Sequence, residues 1–240
     1  MISANWTQLS KDLKSSLGLQ ANPMAINFLH KKPDTTTFSS KVPPPTEDGR
    51  TGKVSAGCVF WMHGSERTFA TVPEDHYNCS VGSFTHGLKT LAEVQNNKDI
   101  AAIVECEWVS PEIFPQIPHI KEKFEYIQYG PLSDVKSQPD VVFLRINGKG
   151  LMILKDAFPN IRIEGKPQCH IVPIAKESGE IAVSSGCMLS RVRTGMTSNE
   201  MTVAIPGGKV QEVMRTIQAT CEIDNKVAVY ASDDAKRFRR

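Results

Sequence analysis

Apolar residues recur every three or four positions near both ends of the chain, which is the spacing of one helix face. The first stripe predicts a helix that ends at Gly18. Its members are Trp6, Leu9, Leu13 and Leu17. The second stripe predicts a helix close to the end of the chain, and its members are Val210, Val213, Met214 and Ile217. Two further apolar segments, 88–95 and 149–158, are also predicted to be helical.

Short runs of β-branched and other apolar residues between turn formers predict strands. They cover 24–29, 68–72, 140–146, 180–184 and 200–205. A loop of about twenty residues is predicted from His30 to Gly52, where both periodicities disappear. An irregular connection is predicted from Ser110 to Pro118, because this stretch contains three prolines. The mixture of helices and strands predicts an α+β fold.

The cysteines form two similar sets along the chain, and such self-similarity indicates an internal repeat. Cys58 and Cys79 are followed, about 110 positions later, by Cys169 and Cys187. The second cysteine of each set has a glycine eight positions after it. A predicted strand lies between the two cysteines of each set. Such a near-constant offset is hard to produce by chance.

The repeat predicts two similar halves, 1–135 and 136–240, that pack as one integrated unit with a mixed sheet. The first half carries the N-terminal helix and, after Cys79, an insertion of about thirty residues relative to the second half. Duplicated halves usually pack around a pseudo-twofold axis. Equivalent positions then meet near that axis, so the two cysteine sets are expected to come together.

Composition and charge exclude several classes of function. The 28 Lys and Arg residues balance 26 Asp and Glu residues, and a net charge of +2 is too small to indicate nucleic-acid binding. No apolar run is long enough for a membrane helix, and no secretory signal is recognisable, so we expect a cytoplasmic protein. In a reducing compartment the six cysteines are expected to be free thiols or metal ligands rather than disulfides.

Several motifs resemble the prokaryotic family catalogued as domain of unknown function 169. They are Gly57-Cys58, the stretch from Glu74 to Gly87, Gly130-Pro131-Leu132, the stretch from Pro139 to Val142, the stretch from Ser185 to Arg191, Asn199-Glu200-Met201 and Ile205-Pro206-Gly207. The resemblance extends from about Gly18 to Ile217. It implies membership and a cysteine pattern but no reaction. The family's association with prokaryotes that live without oxygen implies an oxygen-sensitive metal site.

The four repeated cysteines are the candidate metal ligands. Four thiolates suit either an iron–sulfur cluster or tetrahedral zinc, and we expect the cluster. Zinc remains the alternative because His76, His86 and His170 lie near the cysteines in sequence. The chain has no C-x-x-C pair, so this hypothesis depends on the repeat rather than on a motif. Buried structural thiols would explain the same residues. Cys106 and Cys221 stand outside the repeat and are interpreted as structural.

Arg191 and Arg193 follow Cys187 and are candidates for binding a small anionic molecule, with His86 as a further substrate-binding candidate. If a helix begins near Met188, the two arginines are expected in its first turn, beside free backbone N–H groups. The other interpretation is that they pair with internal acids such as Glu200.

Two functions follow from these residues. The first is a cytoplasmic metalloprotein that transfers electrons or activates a small anionic substrate. The second is a metal-free small-molecule-binding protein or thiol-dependent enzyme, in which Cys187 or Cys79 is the nucleophile and Arg191 binds the anion. A structural role in a larger complex is a third possibility.

Overall fold

A computed structural model describes residues 5–35, 57–76 and 78–238 of the chain. These segments contain both helices and strands, and a seven-stranded sheet lies at the centre. The α+β class predicted from the sequence is therefore confirmed. Most of the predicted loop from His30 to Gly52 lies outside the described residues.

The seven strands lie in the order β2-β3-β1-β4-β7-β6-β5. All neighbouring pairs are antiparallel except β5 and β6, which are parallel. The strands are β1 (Met24–Leu29), β2 (Phe69–Thr71), β3 (Tyr126–Pro131), β4 (Val141–Ile146), β5 (Arg162–Glu164), β6 (Ala182–Ser184) and β7 (Met201–Pro206). Because β1 pairs with β4, strands from both predicted halves belong to one sheet.

Helices cover both faces of the sheet. They are α1 (Trp6–Leu17), α2 (Gly57–Gly64), α3 (Ser80–Thr85), α4 (Leu91–Val94), α5 (Lys98–Glu105), α6 (Gly148–Ala157), α7 (Ile171–Pro173), α8 (Met188–Thr194) and α9 (Val210–Ala235). A π-helical turn, Ile174–Ser178, continues α7. Within the described residues, no helix is long and apolar enough to cross a membrane.

Successive side chains of the central strands point to opposite faces of the sheet, as strand geometry requires. On β4, Val141 and Phe143 pack into one core, whereas Val142 and Leu144 pack into the other. The second core also contains the buried residues of α1, α6 and α9, and we call this side of the sheet the helix face. The first core contains residues of α2 and α7. Cys58 lies in α2, and Cys169 lies just before α7. We call that side the cysteine face.

Several predicted elements match the structure closely. The first helix is α1, and Gly18 ends it in the left-handed conformation with a φ of 62°. The predicted strands over 24–29, 68–72 and 180–184 correspond to β1, β2 and β6. The other two predicted strands correspond to β4 and β7.

Three predictions need correction. The connection from Ser110 to Pro118 is not irregular throughout, because Pro111–Gln116 forms a 3-10 helix that starts at a proline. The predicted helix over 88–95 is only the short α4, which begins with a Thr90–Glu93 capping box. The last helix continues well beyond Ile217, as far as Ala235.

Candidate functional site

The structure brings the four repeated cysteines together around one small cavity on the cysteine face. Each cysteine comes from a different segment. Cys58 lies in the first turn of α2, and Cys169 lies in the 3-10 helix Gln168–His170 just before α7. Cys79 and Cys187 immediately precede α3 and α8.

Cys79 and Cys187 have the same backbone role. Each is the N-cap residue of a short helix, and each sulfur accepts a hydrogen bond from the backbone N–H three residues later. The N···S distance is 3.4 Å both for Gly82 to Cys79 and for Ser190 to Cys187. This bond takes the place of the hydroxyl or carboxylate cap that usually begins a helix. It fixes the direction of each thiol relative to its helix.

The thiols influence one another's ionisation. Burial, together with the neighbouring Cys79 and Cys187 sulfurs, raises the pKa of Cys58 to about 12. Burial also raises the pKa of Cys79, and it raises that of Cys169 well above its ordinary value. The Cys169 thiol is further affected by the other three cysteines. These thiols are therefore neutral at pH 7 unless a cation compensates them.

The rest of the cavity wall is mainly apolar. Trp61, Trp108 and Leu189 contribute to it, and Arg193 is the charged residue among the described lining residues. The Arg193 guanidinium hydrogen-bonds with the Cys79 sulfur and donates to the backbone carbonyl of Asn78 at 3.3 Å. The residue as a whole is exposed, so it stands at the rim of the cavity.

The described residues contain no group of three His, Cys, Asp or Glu side chains arranged to bind a single metal ion. The four repeated cysteines nevertheless line one cavity.

The sequence profile of the family DUF169, described as uncharacterised ArCR, matches residues 12–216. The chain belongs to the DUF169 family. The resemblance predicted from the cysteine and glycine motifs is thereby confirmed over most of the chain. No curated protein and no solved structure matches the sequence significantly. The chemistry of this DUF169 protein therefore has to be inferred from its own residues.

Arg191 and Arg193 of this DUF169 chain occupy the last turn of α8, and the prediction that they lie in its first turn is wrong. The reason is that α8 begins at Met188 and ends at Thr194, so it has only seven residues. Arg191 donates to the backbone carbonyls of Thr197 and Ser185 at 2.6 Å and to that of Glu200 at 3.0 Å.

These three bonds connect α8 to the segments on either side of it and indicate a structural role for Arg191. The Glu200 carboxylate pairs with another arginine, Arg145, at 2.5 Å. Anion binding by Arg191 stays a prediction. Arg193 is the arginine that lines the cavity.

Two of the three candidate histidines lie behind the cavity wall. His86 is completely buried, its Nδ1 contacts the Gly82 carbonyl at 2.9 Å, and burial lowers its pKa to about 4. Burial also lowers the pKa of His76 well below its usual range, and its Nε2 contacts the Thr71 hydroxyl at 2.9 Å. Both rings are therefore neutral at pH 7. Their centres are 6.2 Å apart.

Each of these rings has one nitrogen without a partner among the described residues, Nδ1 of His76 and Nε2 of His86. Gly57 lies close to both rings: a Cβ at Gly57 would lie 3.6 Å from the first ring and 3.9 Å from the second. The described lining residues of the four-cysteine cavity do not include His86, so substrate binding by His86 remains a prediction. The third histidine, His170, has its Nε2 at 3.4 Å from the Glu164 carboxylate.

All six cysteines are free thiols, as expected. Cys106 is exposed at the end of α5, and its thiol donates to the Ile103 carbonyl. Cys221 lies on α9, on the other side of the sheet, and donates to the Ser16 carbonyl. Neither is among the described lining residues of the cavity.

Sequence reasoning missed several residues around the cysteines. Ser190 hydrogen-bonds with the Cys58 thiol, and the buried side chains of Trp61, Gln168 and Thr202 carry polar atoms close by. None of them belongs to a recognisable spacing pattern. The sequence marks them only as residues with polar atoms within short apolar segments.

Proposed function

We propose that Cys58, Cys79, Cys169 and Cys187 bind an iron–sulfur cluster. The observation that carries the proposal is that four cysteines from four separate segments line one buried, mainly apolar cavity. Buried thiolates need a compensating positive charge, and an iron–sulfur cluster supplies it. The raised thiol pKa values mean that cluster binding would release protons and would weaken at low pH.

We prefer a cluster to zinc, although four cysteine sulfurs suit both groups. Four cysteines and no histidine are among the described lining residues of the cavity, so the donor set is sulfur alone. The family's association with prokaryotes that live without oxygen favours the cluster. Zinc remains the alternative, and the elemental analysis described below separates the two.

We also infer that the chain is an internal repeat, with the cluster between equivalent parts. Strands β1, β3 and β2 pair in the same order and with the same antiparallel sense as β4, β7 and β6. The registers correspond as well, since Met24 pairs with Pro131 where Val141 pairs with Pro206. Equivalent strands have equal lengths.

The cysteines follow the same correspondence. Cys79 and Cys187 are both N-caps that accept an N–H at 3.4 Å, and Cys58 and Cys169 are both the second residue of a helical segment. The central β1–β4 pairing is antiparallel, as a pseudo-twofold axis between the halves would require.

Electron transfer is the activity that a four-cysteine cluster supports best. Four thiolates occupy all four irons, whereas activation of a substrate oxygen needs an iron with an open position. Arg193 contributes a positive charge at the rim. The cation stabilises the electron-rich reduced cluster and favours an anionic molecule or an acidic surface as the partner.

The thiol-dependent enzyme is less well supported. A nucleophilic cysteine needs a lowered pKa, and burial raises the pKa of Cys79. Cys58 and Cys169 are affected in the same direction. A cytoplasmic location and a structural role in a complex stay predictions.

The test is the analysis of iron, zinc and acid-labile sulfide in protein purified without oxygen. We expect iron and sulfide in equal amounts, with an absorption band near 400 nm. Replacing any of the four cysteines by serine should remove most of the iron. Cys106→Ser and Cys221→Ser are matched controls because neither residue lines the cavity, and they should retain the wild-type iron content.

Three outcomes would contradict the proposal. Zinc without sulfide would assign the cysteines to the alternative metal. Absence of metal from folded protein that was purified without oxygen would contradict the metal hypothesis. Equal iron loss in all six serine variants would mean that the substitutions act through unfolding rather than through ligation.

A further inference from the structure

Hydrogen-bond donors lie beside the four repeated cysteines, and three of them belong to α8. The Ser190 backbone N–H donates to the Cys187 sulfur at 3.4 Å, and the Ser190 side chain hydrogen-bonds with the Cys58 thiol. Three residues further along the helix, the Arg193 guanidinium hydrogen-bonds with the Cys79 sulfur. A helix of only seven residues therefore interacts with three of the four sulfurs.

The helix α3 also begins after a repeated cysteine, but its side chains contribute less. The Gly82 N–H donates to the Cys79 sulfur at 3.4 Å, and Gly82 has no hydroxyl at the position that Ser190 occupies on α8. Thr85 hydrogen-bonds with Cys169, but its hydroxyl also donates to the Gly82 carbonyl at 3.1 Å. The side chains of α8 are therefore the stronger donors to the cysteine sulfurs.

The Ser190 hydroxyl is well placed to respond to the charge on Cys58. Ser190 is only 2% exposed, and its hydroxyl lies 3.7 Å from the Met196 sulfur. A hydroxyl has a single hydrogen, which rotates toward the better acceptor. A thioether is a weak acceptor, whereas a metal-bound thiolate is charged and accepts more strongly. The hydroxyl therefore donates to Cys58 when Cys58 is a ligand.

Arg193 acts through its charge as well as through a hydrogen bond. Its five N–H groups allow it to donate to the Asn78 carbonyl at 3.3 Å and still interact with the Cys79 sulfur. Its positive charge also lowers the pKa of the Cys58 thiol, against the larger effect of burial. One cation at the rim of the cavity therefore affects two of the candidate ligands.

We propose that Ser190 and Arg193 are positioning residues that raise the reduction potential of the cysteine centre. Reduction adds one negative charge to an iron–sulfur cluster, and hydrogen-bond donors on its sulfurs and a nearby cation stabilise that charge. Ser190 contributes a buried hydrogen bond, and Arg193 contributes a hydrogen bond and a positive charge. Their role rests on the proposed function, because the potential is that of the cluster bound by the four cysteines.

The experiment is an anaerobic potentiometric titration of the iron-loaded protein with dithionite, followed by the absorbance near 400 nm. Ser190→Ala removes the hydroxyl, and Arg193→Gln removes the charge. Each should make the cluster about tenfold harder to reduce, which corresponds to a midpoint potential lower by about 59 mV for one electron. Arg193→Lys keeps the charge and should shift the potential less than Arg193→Gln does.

Salt should separate the contributions of the two residues. Raising NaCl from about 10 mM to about 1 M shortens the Debye length from about 30 Å to about 3 Å. The shift in Arg193→Gln should shrink, because Arg193 is exposed, whereas the shift in Ser190→Ala should persist, because Ser190 is buried. Thr194→Val is the control on the same helix. The Thr194 hydroxyl donates to the Ser190 carbonyl at 2.7 Å rather than to a sulfur, so the wild-type potential should remain.

Four outcomes would overturn the proposal. Unchanged potentials in Ser190→Ala and Arg193→Gln, with wild-type iron content, would contradict only the role of these two residues. An equal shift in Thr194→Val would mean that any change in α8 alters the potential. Loss of iron from Ser190→Ala but not from Thr194→Val would mean that Ser190 retains the cluster rather than setting its potential. Absence of iron from the wild-type protein would contradict the proposed function itself.

Discussion

The two faces of the central sheet differ in the side chains that cover them. On the helix face, α1, α6 and α9 cover the strands with closely packed apolar side chains. Of the buried polar residues in the described segments, only Ser10 belongs to these three helices. The cysteine face also has an apolar core, but it contains buried histidine and hydroxyl groups that have no partner among the described residues, together with half-buried thiols.

This difference separates stability from function. Apolar burial on the helix face stabilises the fold without a ligand. Polar groups without partners on the cysteine face lower stability, and in native proteins such groups usually mark a ligand or an ordered water. Because both faces share the same strands, the stable face holds the sheet on which the cysteines are arranged. Substitutions on the two faces should therefore give different combinations of stability and ligand content.

The largest expected loss of stability comes from the helix face. Leu144 is completely buried in the middle of the sheet, on β4. Leu144→Ala should lower the free energy of unfolding by about 2 to 5 kcal/mol, because it leaves a cavity in a closely packed core. Denaturant titration measures the loss, and iron per folded molecule should stay at the wild-type level.

The milder Ile146→Val variant lies on the same face and should cost about 0.5 to 1.5 kcal/mol. Iron loss in proportion to destabilisation in both variants would contradict the separation of the two faces.

The pH dependence of stability should come from the cysteine face. Burial lowers the pKa of His86 to about 4, whereas the unfolded chain has an ordinary value near 6.5. The unfolded state therefore binds the proton more readily, and acid favours unfolding. The free energy of unfolding is therefore highest above pH 6.5 and falls as the pH drops toward 4. The loss is about 2 kcal/mol at pH 5 and about 3 kcal/mol when it is complete. His76 acts in the same direction.

Denaturant titrations of metal-free protein between pH 7 and pH 5 measure this loss. Leu144→Ala should reduce stability at every pH and keep the same slope, whereas His86→Gln should make the slope shallower. A wild-type profile that is flat over this range would show that these rings are not buried in the neutral form.

A smaller effect is expected where α2 approaches the sheet. A Cβ at Gly64 would lie 2.3 Å from the Met24 sulfur and 2.9 Å from the Tyr129 Cβ, so Gly64→Ala forces the helix away from the strands. Such overpacking costs about 1 to 3 kcal/mol. Because Cys58 lies on α2, iron content should fall as well.

Gly148→Ala on the helix face is the matched control. Gly148 begins α6, and a Cβ there meets nothing within 4 Å, so neither stability nor iron content should fall. Unchanged iron in a folded Gly64→Ala variant would show that the position of α2 does not determine the cysteine site.

The same contrast explains how much of the fold could be predicted from the sequence. The helix face is built from long periodic elements, so α1 and the strands β1 and β4 follow from apolar spacing alone. The cysteine face uses segments too short for a period, such as α3 with six residues. Tertiary contacts, rather than local sequence patterns, determine where these short segments lie.

The candidate site shows the same limit. The similar spacing of the two cysteine sets indicated which cysteines share a cavity. Spacing could not show that Arg191 bonds to three carbonyls while Arg193 lines the cavity, since both follow Cys187 closely on one short helix. Nor could it identify Thr202 as a buried polar residue close to Cys58, because one hydroxyl in an apolar strand has no distinctive pattern.

The smallest effect is expected at the far end of α9, and it tests how far the helix face extends. Ile217 is completely buried, whereas Tyr230, on the same helix, is 77% exposed. Tyr230→Ala should change the free energy of unfolding by less than about 0.5 kcal/mol, as surface substitutions usually do. Ile217→Ala should cost about 2 to 5 kcal/mol. Denaturant titration at several protein concentrations compares the two.

Tyr230→Ala would matter only if another surface covered Tyr230. A loss of unfolding free energy above about 1 kcal/mol for this variant, or a loss that grows with protein concentration, would mean that the exposed end of α9 is covered in solution. The helix face would then extend beyond the part of α9 that packs on the sheet.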